Sequence, residues 1–412
     1  MSPRTDKEIA TTSAPDRRKW AAEGRAELKR VLLERRLVVC VGSGGVGKTT
    51  TAAALAIQAA LLGRRVIVVT IDPAKRLANS LGIDALGNDE RAVPLDKLQG
   101  ERVGTGGSLH AMMLDTRRTF DDVIRKVAPD SATAERVLSN LIYRHISDTL
   151  SASHDYMASE KLYDLHHSGR YDLVVLDTPP MKNALDFLEA GGRLSRFLDE
   201  KIVGWFLKPH GQGRAMGAQL LSGTGAIVYR LLGNVFGQDF LEELSEFFLS
   251  FKDLIAGFRD RADVVSKLLQ DQKLTRFLVV CTAREATMEE ARYFHSALAD
   301  RKLPGYLFVV NQAAPHGDEE PASNGGWLGE DGRRWIEGEL RESASKQEIS
   351  SITDRLEAHF DRAVANGKAD ARAIDGLRAF AGKRAQVCVV PRSREEVVDF
   401  TSLLEVGRAL IG

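Results

Sequence analysis

The chain has 412 residues, enough for one large α/β domain with insertions or for two domains. Its 57 basic and 57 acidic residues cancel, which argues against a general affinity for nucleic acid because such binding needs a basic surface. No run reaches the roughly 18–20 apolar residues of a membrane span, and the first 20 residues contain no apolar signal core. We therefore expect neither a nucleic-acid partner nor a membrane-spanning segment.

The three cysteines point to a reducing compartment. Cys40, Cys281 and Cys388 each lie in an apolar, β-branched run, so we predict that all three are buried strand residues. The sequence contains no C-x-x-C pair, so a thiolate zinc site is not expected. This cysteine usage favours a cytoplasmic protein.

A flexible tail and a βαβ unit are predicted at the start of the chain. The tail comprises residues 1–28, although helical spacing begins near residue 21. An apolar strand at 37–41, a helix from Lys48 to about Leu62 and a second apolar strand, RVIVVTID, follow. Continuous apolar strands joined by a helix are typical of a buried parallel sheet with a right-handed crossover.

Helical stretches and further strands alternate along the rest of the chain. Residues 105–170 are predicted to be mostly helical, and YDLVVLDTPP (171–180) to be a buried strand. Later predictions are a helical region at 184–270, strands at 276–282, 305–312 and 385–391, a loop at 313–333, a helical stretch at about 334–380 and a final helix. This alternation predicts an α/β fold with a doubly wound, mostly parallel sheet and helical insertions.

The segment GSGGVGKT (42–49) matches the phosphate-binding pattern G-x-x-x-x-G-K-[ST]. Glycines let the backbone approach phosphates closely, Lys48 can reach the β- and γ-phosphates, and Thr49 offers a hydroxyl to Mg²⁺. A chance glycine turn is the alternative, but the preceding strand and the following helix argue against it. The predicted binding residues are Gly42, Ser43, Gly44, Gly45, Val46, Gly47, Lys48, Thr49 and Thr50, here called the phosphate loop.

Two aspartates are predicted at strand ends beside this loop. Asp177 ends the strand VVLD, where a carboxylate can hold Mg²⁺ or its waters. Asp72 ends the strand that follows the loop's helix, at the edge where open α/β sheets bind ligands. Asp72 could orient or deprotonate an attacking water, or it could only cap the helix that Pro-Ala begins.

The order of the motifs resembles that of the deviant-Walker-A ATPases and, within them, the ArsA-like family of anion-transporting and guided-entry ATPases. These motifs are GSGGVGKTT, IDPA, LDTPP with NALDFL, and VVNQ, and the resemblance runs from about residue 30 to the end. It implies a dimeric Mg-ATP-dependent ATPase that couples hydrolysis to a membrane-protein or transport client. The phosphate loop is shared with partition and positioning ATPases, so that function and a hydrolysis-poor subunit of a heterodimer remain alternatives.

The resemblance also implies roles for single residues. Lys48 and Asp72 would be catalytic, with Asp72 positioning the water, while Thr49 and Asp177 would serve Mg²⁺. Asn311 would bind adenine through its side-chain amide, and the segment that begins at Pro391 would close over the base. Without the resemblance, Asn311 would be interpreted as an ordinary residue at the end of a strand.

Three departures from the family pattern stand out. Ser43 occupies the place of a lysine that crosses the dimer interface. This suggests slower hydrolysis, or substitution by another cation such as Lys75 or Lys182, or a heterodimer whose partner supplies the lysine. The segment PASNGGW lacks the C-x-x-C that holds some relatives together through zinc, so no zinc is expected. The metalloid-binding cysteines have no counterpart, so stimulation by arsenite is not expected.

The resemblance and the predicted elements divide the chain into four units: a tail (1–28), a first part of the ATPase core (29–183), an apolar helical subdomain (184–270) and a second part of the core with the adenine side (271–412). The apolar subdomain could form a groove for a hydrophobic client helix or a membrane partner. It could equally cover the sheet and a dimer interface. We accordingly expect a protein of the cytoplasm, or one peripheral to a membrane.

Overall fold

The structure is a computed structural model that describes a sheet and its flanking helices. The described residues are 14–71, 76–83, 86–95, 103–140, 143, 154–179, 254, 257–301, 303, 306–314, 328–382, 386–393, 396–397 and 399–412. The strands are β1 (Leu37–Gly42), β2 (Arg65–Thr70), β3 (Arg91–Ala92), β4 (Ser108–Met113), β5 (Leu173–Asp177), β6 (Thr275–Cys281), β7 (Tyr306–Ala313) and β8 (Gln386–Pro391). The helices are α1 (Ala14–Glu34), α2 (Lys48–Leu61), α3 (Arg76–Ser80), α4 (Thr116–Val127), α5 (Ser131–Ser139), α6 (His154–Ser168), α7 (Glu285–Asp300), α8 (Gly329–Leu340), α9 (Lys346–Ala381) and α10 (Phe400–Ile411).

One sheet carries the eight strands, in the order β3-β4-β2-β5-β1-β6-β7-β8. Every neighbouring pair is parallel except β3 with β4. The chain leaves β1 toward β2 on one side and later passes from β5 to β6 on the other side of β1. The carboxyl end of β1 therefore lies where the winding changes direction, which is the ligand-binding position of open α/β sheets. The predicted doubly wound, mostly parallel sheet is confirmed.

Helices cover both faces of the sheet, which explains why its central strands are apolar along their whole length. In β1, Val39 and Val41 belong to one apolar cluster, and Val38 and Cys40 belong to the other. Every residue of β1 and β5 is buried. The second cluster includes the alanine-rich α2, and α2 packs on α10. The phosphate loop is thus attached to a rigid strand and a buried helix.

The predicted flexible tail is wrong for residues 14–28, because α1 begins at Ala14. Trp20 and Leu28 are 5% and 0% exposed. The helix lies on β8 so closely that a Cβ at Gly24 would be 2.3 Å from the carbonyl oxygen of Val387. This stretch is rich in charged residues and contains Trp20 and Leu28 as its large apolar side chains, so its sequence resembles that of a solvated tail.

The segment predicted to be a helical insert at 105–170 begins with a strand, β4, which is a second correction. Its residues SLHAMM include few strongly β-forming side chains, and β4 pairs with β2 over its full length. Pairing and burial in the sheet therefore override weak local propensity. Helices α4, α5 and α6 then follow as expected.

The later strands are confirmed to within one residue at each end, but the predicted loop at 313–333 is helical from Gly329 onward. The predicted helical stretch at 334–380 is two helices, α8 and the 36-residue α9. Most of the predicted apolar subdomain (184–270) lies outside the described residues. In its described part, residues 257–270 are helical. In the part of the chain that the structure describes, no helix is both long and apolar enough to cross a membrane.

Candidate active site

The phosphate loop connects the end of β1 to the start of α2, and its glycines are required by its geometry. A Cβ at Gly42 would lie 2.2 Å from the carbonyl oxygen of Val280 in β6. Gly45 and Gly47 have φ values of 77° and 89°, in the left-handed region that residues other than glycine rarely adopt. Gly44 and Gly45 are exposed, whereas Val46 is buried. The loop is therefore anchored in the core at both ends and open to solvent at its tip.

Lys48, the first residue of α2, is folded back onto this loop. Its side chain is buried, and its Nζ atom donates a hydrogen bond to the backbone oxygen of Ser43 at 2.8 Å. Since the carbonyl oxygen is a neutral acceptor, a phosphate oxygen is a stronger partner for the same ammonium group. Lys48 therefore lies against the backbone of the loop, where it can exchange one acceptor for the other.

Thr49 and Asp177 meet beside the loop. The Oγ1 atom of Thr49 donates to Oδ2 of Asp177 at 2.7 Å, and the Oγ1 atom of Thr70 donates to the same oxygen at 3.0 Å. Asp177 is fully buried at the end of β5, opposite Cys40 in β1. Strand pairing thus brings a carboxylate from residue 177 to the first turn of α2.

These oxygen atoms fit a magnesium ion. Mg²⁺ prefers oxygen ligands and is usually held by one or two carboxylates together with substrate phosphates and waters. Thr49 and Asp177 supply one hydroxyl and one carboxylate at hydrogen-bonding distance from each other. Among the described residues, no group of three or more His, Cys, Asp or Glu side chains is placed to hold a metal ion. The predicted absence of zinc concerns PASNGGW, residues 321–327, which lie outside the described part of the chain.

The cysteine beside this pair is a core residue. Burial raises the pKa of the Cys40 thiol, and the nearby carboxylate of Asp177 raises it further. Burial likewise raises the pKa values of Cys281 and Cys388 to about 12. All three thiols are buried in strands, as predicted, and such protonated thiols are poor nucleophiles.

Asn311 holds the phosphate loop from the side of β7. Its Nδ2 atom donates to the backbone oxygen of Val46 at 2.9 Å, and the side chain is buried. A Cβ at Gly47 would approach the same nitrogen to 2.2 Å. One amide hydrogen of Asn311 is therefore engaged by the loop, and the contact with adenine stays a prediction.

The backbone next to Asn311 is irregular. Gln312 has a φ of 57°, and the register between β7 and β8 shifts between Val310 and Ala313. Pro391 lies opposite Ala313 at the end of β8 and is exposed, so it is at the same edge of the sheet as the loop. A local irregularity of this kind redirects side chains next to many binding sites.

Three of the predicted site residues lie outside the described residues. They are Asp72, Lys75 and Lys182. The chain before Asp72 is fixed by Ile71, whose backbone N–H donates to the backbone oxygen of Asp177 at 3.1 Å. The role of Asp72 in positioning water stays a prediction.

The structure adds one residue that sequence reasoning missed. Glu290, an exposed residue of α7, accepts a hydrogen bond from the hydroxyl of Ser43 through its Oε2 atom. Position 43 is distinguished in the sequence because a serine stands in place of the family's lysine. Nothing in the sequence around Glu290 distinguishes it from other acidic residues of a surface helix.

A sheet of this topology with G-x-x-x-x-G-K-T between β1 and α2 defines the class of P-loop nucleotide hydrolases. The family model described as anion-transporting ATPase matches residues 35–328. The chain is 25% identical over 287 residues to the ATPase GET3 of Podospora anserina, which covers 69% of this chain and 76% of that protein. It is 24% identical over 278 residues to the ATPase get3 of Aspergillus terreus, which covers 67% of this chain and 73% of the relative.

The chain belongs to the anion-transporting ATPase family. It is an ATP hydrolase of that family, so the resemblance expected from the motifs is confirmed.

Proposed function

We propose that this ATPase binds the phosphates of Mg·ATP on the phosphate loop and that its hydrolysis switches a dimer that handles a hydrophobic client. The observation that carries the nucleotide site is the meeting of Thr49 and Asp177, whose oxygens are 2.7 Å apart at the first turn of α2. Magnesium bound there would neutralise part of the phosphate charge. The N–H groups of the loop and the start of α2 would bind the phosphate oxygens.

The remaining residues have distinct roles in this proposal. Lys48 would leave the Ser43 carbonyl for the β- and γ-phosphates, and Asp72 would orient the attacking water. Asn311 would keep the loop in place through Val46 and contact adenine with the rest of its amide. The segment from Pro391 would cover the base.

Titration of the purified chain with a fluorescent ATP analogue, with and without Mg²⁺, tests the nucleotide site. Lys48→Ala should weaken binding about 100-fold or more because charge-assisted hydrogen bonds to the phosphates are lost. Asp177→Asn should remove most of the dependence on Mg²⁺ while leaving metal-free binding nearly unchanged.

The matched controls are Lys368→Ala and Asp354→Asn, since both residues are exposed on α9, a helix that carries none of the predicted site residues. Equal affinities of Lys48→Ala and Lys368→Ala would show that ATP binds elsewhere. An Asp177→Asn variant with full Mg²⁺ dependence would remove the metal role from Asp177.

The dimer and the client rest on the family and on sequence patterning. Ser43 replaces the family's cross-subunit lysine, so the second subunit is either another copy with slower chemistry or a related chain that supplies the lysine. Residues 184–270 are rich in large apolar side chains, which fits capture of an apolar helix from a membrane protein. A reducing cytoplasm suits the three free cysteines.

Binding of a labelled apolar helical peptide of about 20 residues tests the client function. Fluorescence anisotropy should report ATP-dependent binding that Leu220→Ser with Leu221→Ser weakens about tenfold, because two apolar contacts are lost. A polar helical peptide of equal length is the control. Equal binding of both peptides, or binding that ignores ATP, would contradict a nucleotide-driven client site.

A further inference from the structure

Ser43 connects two oppositely charged side chains at the start of the phosphate loop. Its backbone oxygen accepts from Nζ of Lys48, and its hydroxyl donates to the carboxylate of Glu290. Ser43 is itself buried, at 8% exposed, whereas Glu290 is exposed on the second turn of α7. A surface carboxylate therefore reaches from α7 to the residue next to the proposed phosphate position.

A carboxylate at this position opposes phosphate binding. Like charges within a few ångströms repel, and the repulsion grows with the number of charges on the ligand. The hydroxyl of Ser43 can donate its single proton either to Glu290 or to a phosphate oxygen. Binding of a nucleotide at the loop and the Ser43–Glu290 hydrogen bond therefore compete.

We propose that Glu290 is a specificity-determining residue of the ATPase, which competes with the nucleotide phosphates for Ser43 and weakens nucleotide binding in proportion to phosphate charge. This inference rests on the proposed binding of phosphates to the loop. It gives position 43 a role that lysine could not have, because a lysine there would attract both Glu290 and the phosphates.

Removal of the charge with little change of shape tests the proposal. Glu290→Gln should increase the affinity for ATP about three- to tenfold, that for ADP less, and that for AMP least. The increase should shrink as ionic strength rises from 0.05 to about 0.5 M, because exposed charges are screened. Dissociation constants for the three nucleotides, measured by fluorescence titration, supply the comparison.

Glu289→Gln is the matched control. Glu289 is the preceding residue of α7, is exposed and carries the same charge, but it forms no hydrogen bond with the loop among the described residues. Its substitution should change all three affinities by less than about twofold, since exposed charges farther away are largely screened.

A double-mutant cycle with Ser43→Ala separates the hydrogen bond from a general field effect. The alanine removes the donor that holds Glu290 at the loop, so the gain from Glu290→Gln should be smaller in the Ser43→Ala background. Equal gains in both backgrounds would overturn competition for Ser43.

The remaining outcomes are distinguishable. Unchanged ATP affinity of Glu290→Gln, together with a large loss for Lys48→Ala, would overturn the inference and leave the proposed nucleotide site intact. A fall in kcat with unchanged affinities would assign Glu290 to the hydrolysis step instead, which also overturns it. ATP affinity that does not respond to Lys48→Ala would overturn both the nucleotide site and this inference.

Discussion

The backbone of the phosphate loop is held by crowding as well as by its left-handed glycines. Gly45 and Gly47 share a positive φ, but their surroundings differ. A Cβ at Gly45 would meet no atom within 4 Å, whereas a Cβ at Gly47 would approach Nδ2 of Asn311 to 2.2 Å. Gly44 has neither a positive φ nor a close neighbour. The three positions therefore separate backbone strain from crowding.

Alanine substitutions at these glycines should lower the free energy of unfolding in a graded way. We expect a change within about 0.5 kcal/mol for Gly44→Ala and a loss of about 1–2 kcal/mol for Gly45→Ala, because of the left-handed backbone. Gly47→Ala should lose more, and part of the excess should return when Asn311→Ala is added. Urea unfolding at fixed pH measures each value; equal losses at Gly45 and Gly47 would contradict crowding by Asn311.

For single residues, the phosphate-binding motif and the strand ends predicted which residues surround the loop but not all of their contacts. The sequence could predict that Thr49 and Asp177 lie close together, because adjacent parallel strands end at one edge of the sheet. It could not predict the contact of Glu290 with Ser43, since Glu290 is 247 residues away and lies on a helix rather than at a strand end. Only the packing of α7 against the sheet brings it to the loop.

Among the elements, a partly buried ionic network joins the helical segment 257–270 to α6. Arg261 donates to Glu160 and, at 2.7 Å, to Oδ1 of Asp164, and its guanidinium lies 3.9 Å from the ring centre of Tyr163. Glu160 is 1% exposed and also accepts from the hydroxyl of Tyr156. Burial raises the pKa of Glu160, although Arg261 acts against that shift. This network attaches the end of the predicted apolar subdomain to the ATPase core.

Removal of Arg261 should be costly because it leaves a carboxyl group buried without its cation. We expect Arg261→Met to lower the free energy of unfolding by about 3 kcal/mol. Adding Glu160→Gln should recover a substantial part of that loss, since the buried charge is then gone. Arg259→Met is the control, because Arg259 is exposed on the same segment. Thermal and urea unfolding that do not distinguish Arg261→Met from Arg259→Met would contradict a structural role for the network.

The elements that sequence reasoning misjudged depend on distant partners. The residues of β4 have weak strand propensity, and only pairing with β2 makes them a strand. Helix α1 is rich in charged residues, and β8 supplies the surface against which its apolar side chains are buried. By contrast, β1, β2 and β5 are continuous apolar runs and are predictable from local sequence alone.

In the whole molecule, the topology gathers the candidate site from distant parts of the chain. The carboxyl ends of β1, β5, β7 and β8 carry the phosphate loop, Asp177, Asn311 and Pro391, and parallel pairing brings these ends to one edge. The family match ends at residue 328, whereas β8 forms the last strand of the sheet and α10 packs on α2. Helices α8 and α9 lie between residue 328 and β8 along the chain, so the sheet is completed only after these two helices.

The most direct test of the account is steady-state hydrolysis of Mg·ATP by the purified chain beside Asp72→Asn, with the mass in solution recorded with and without ATP. We expect turnover that Asp72→Asn lowers at least about 100-fold, because the water loses its positioning carboxylate, and a dimer that ATP stabilises. Turnover unaffected by Asp72→Asn would contradict the proposed chemistry. ATP binding without turnover by the chain alone would contradict a self-sufficient homodimer and indicate a partner chain that supplies the missing lysine.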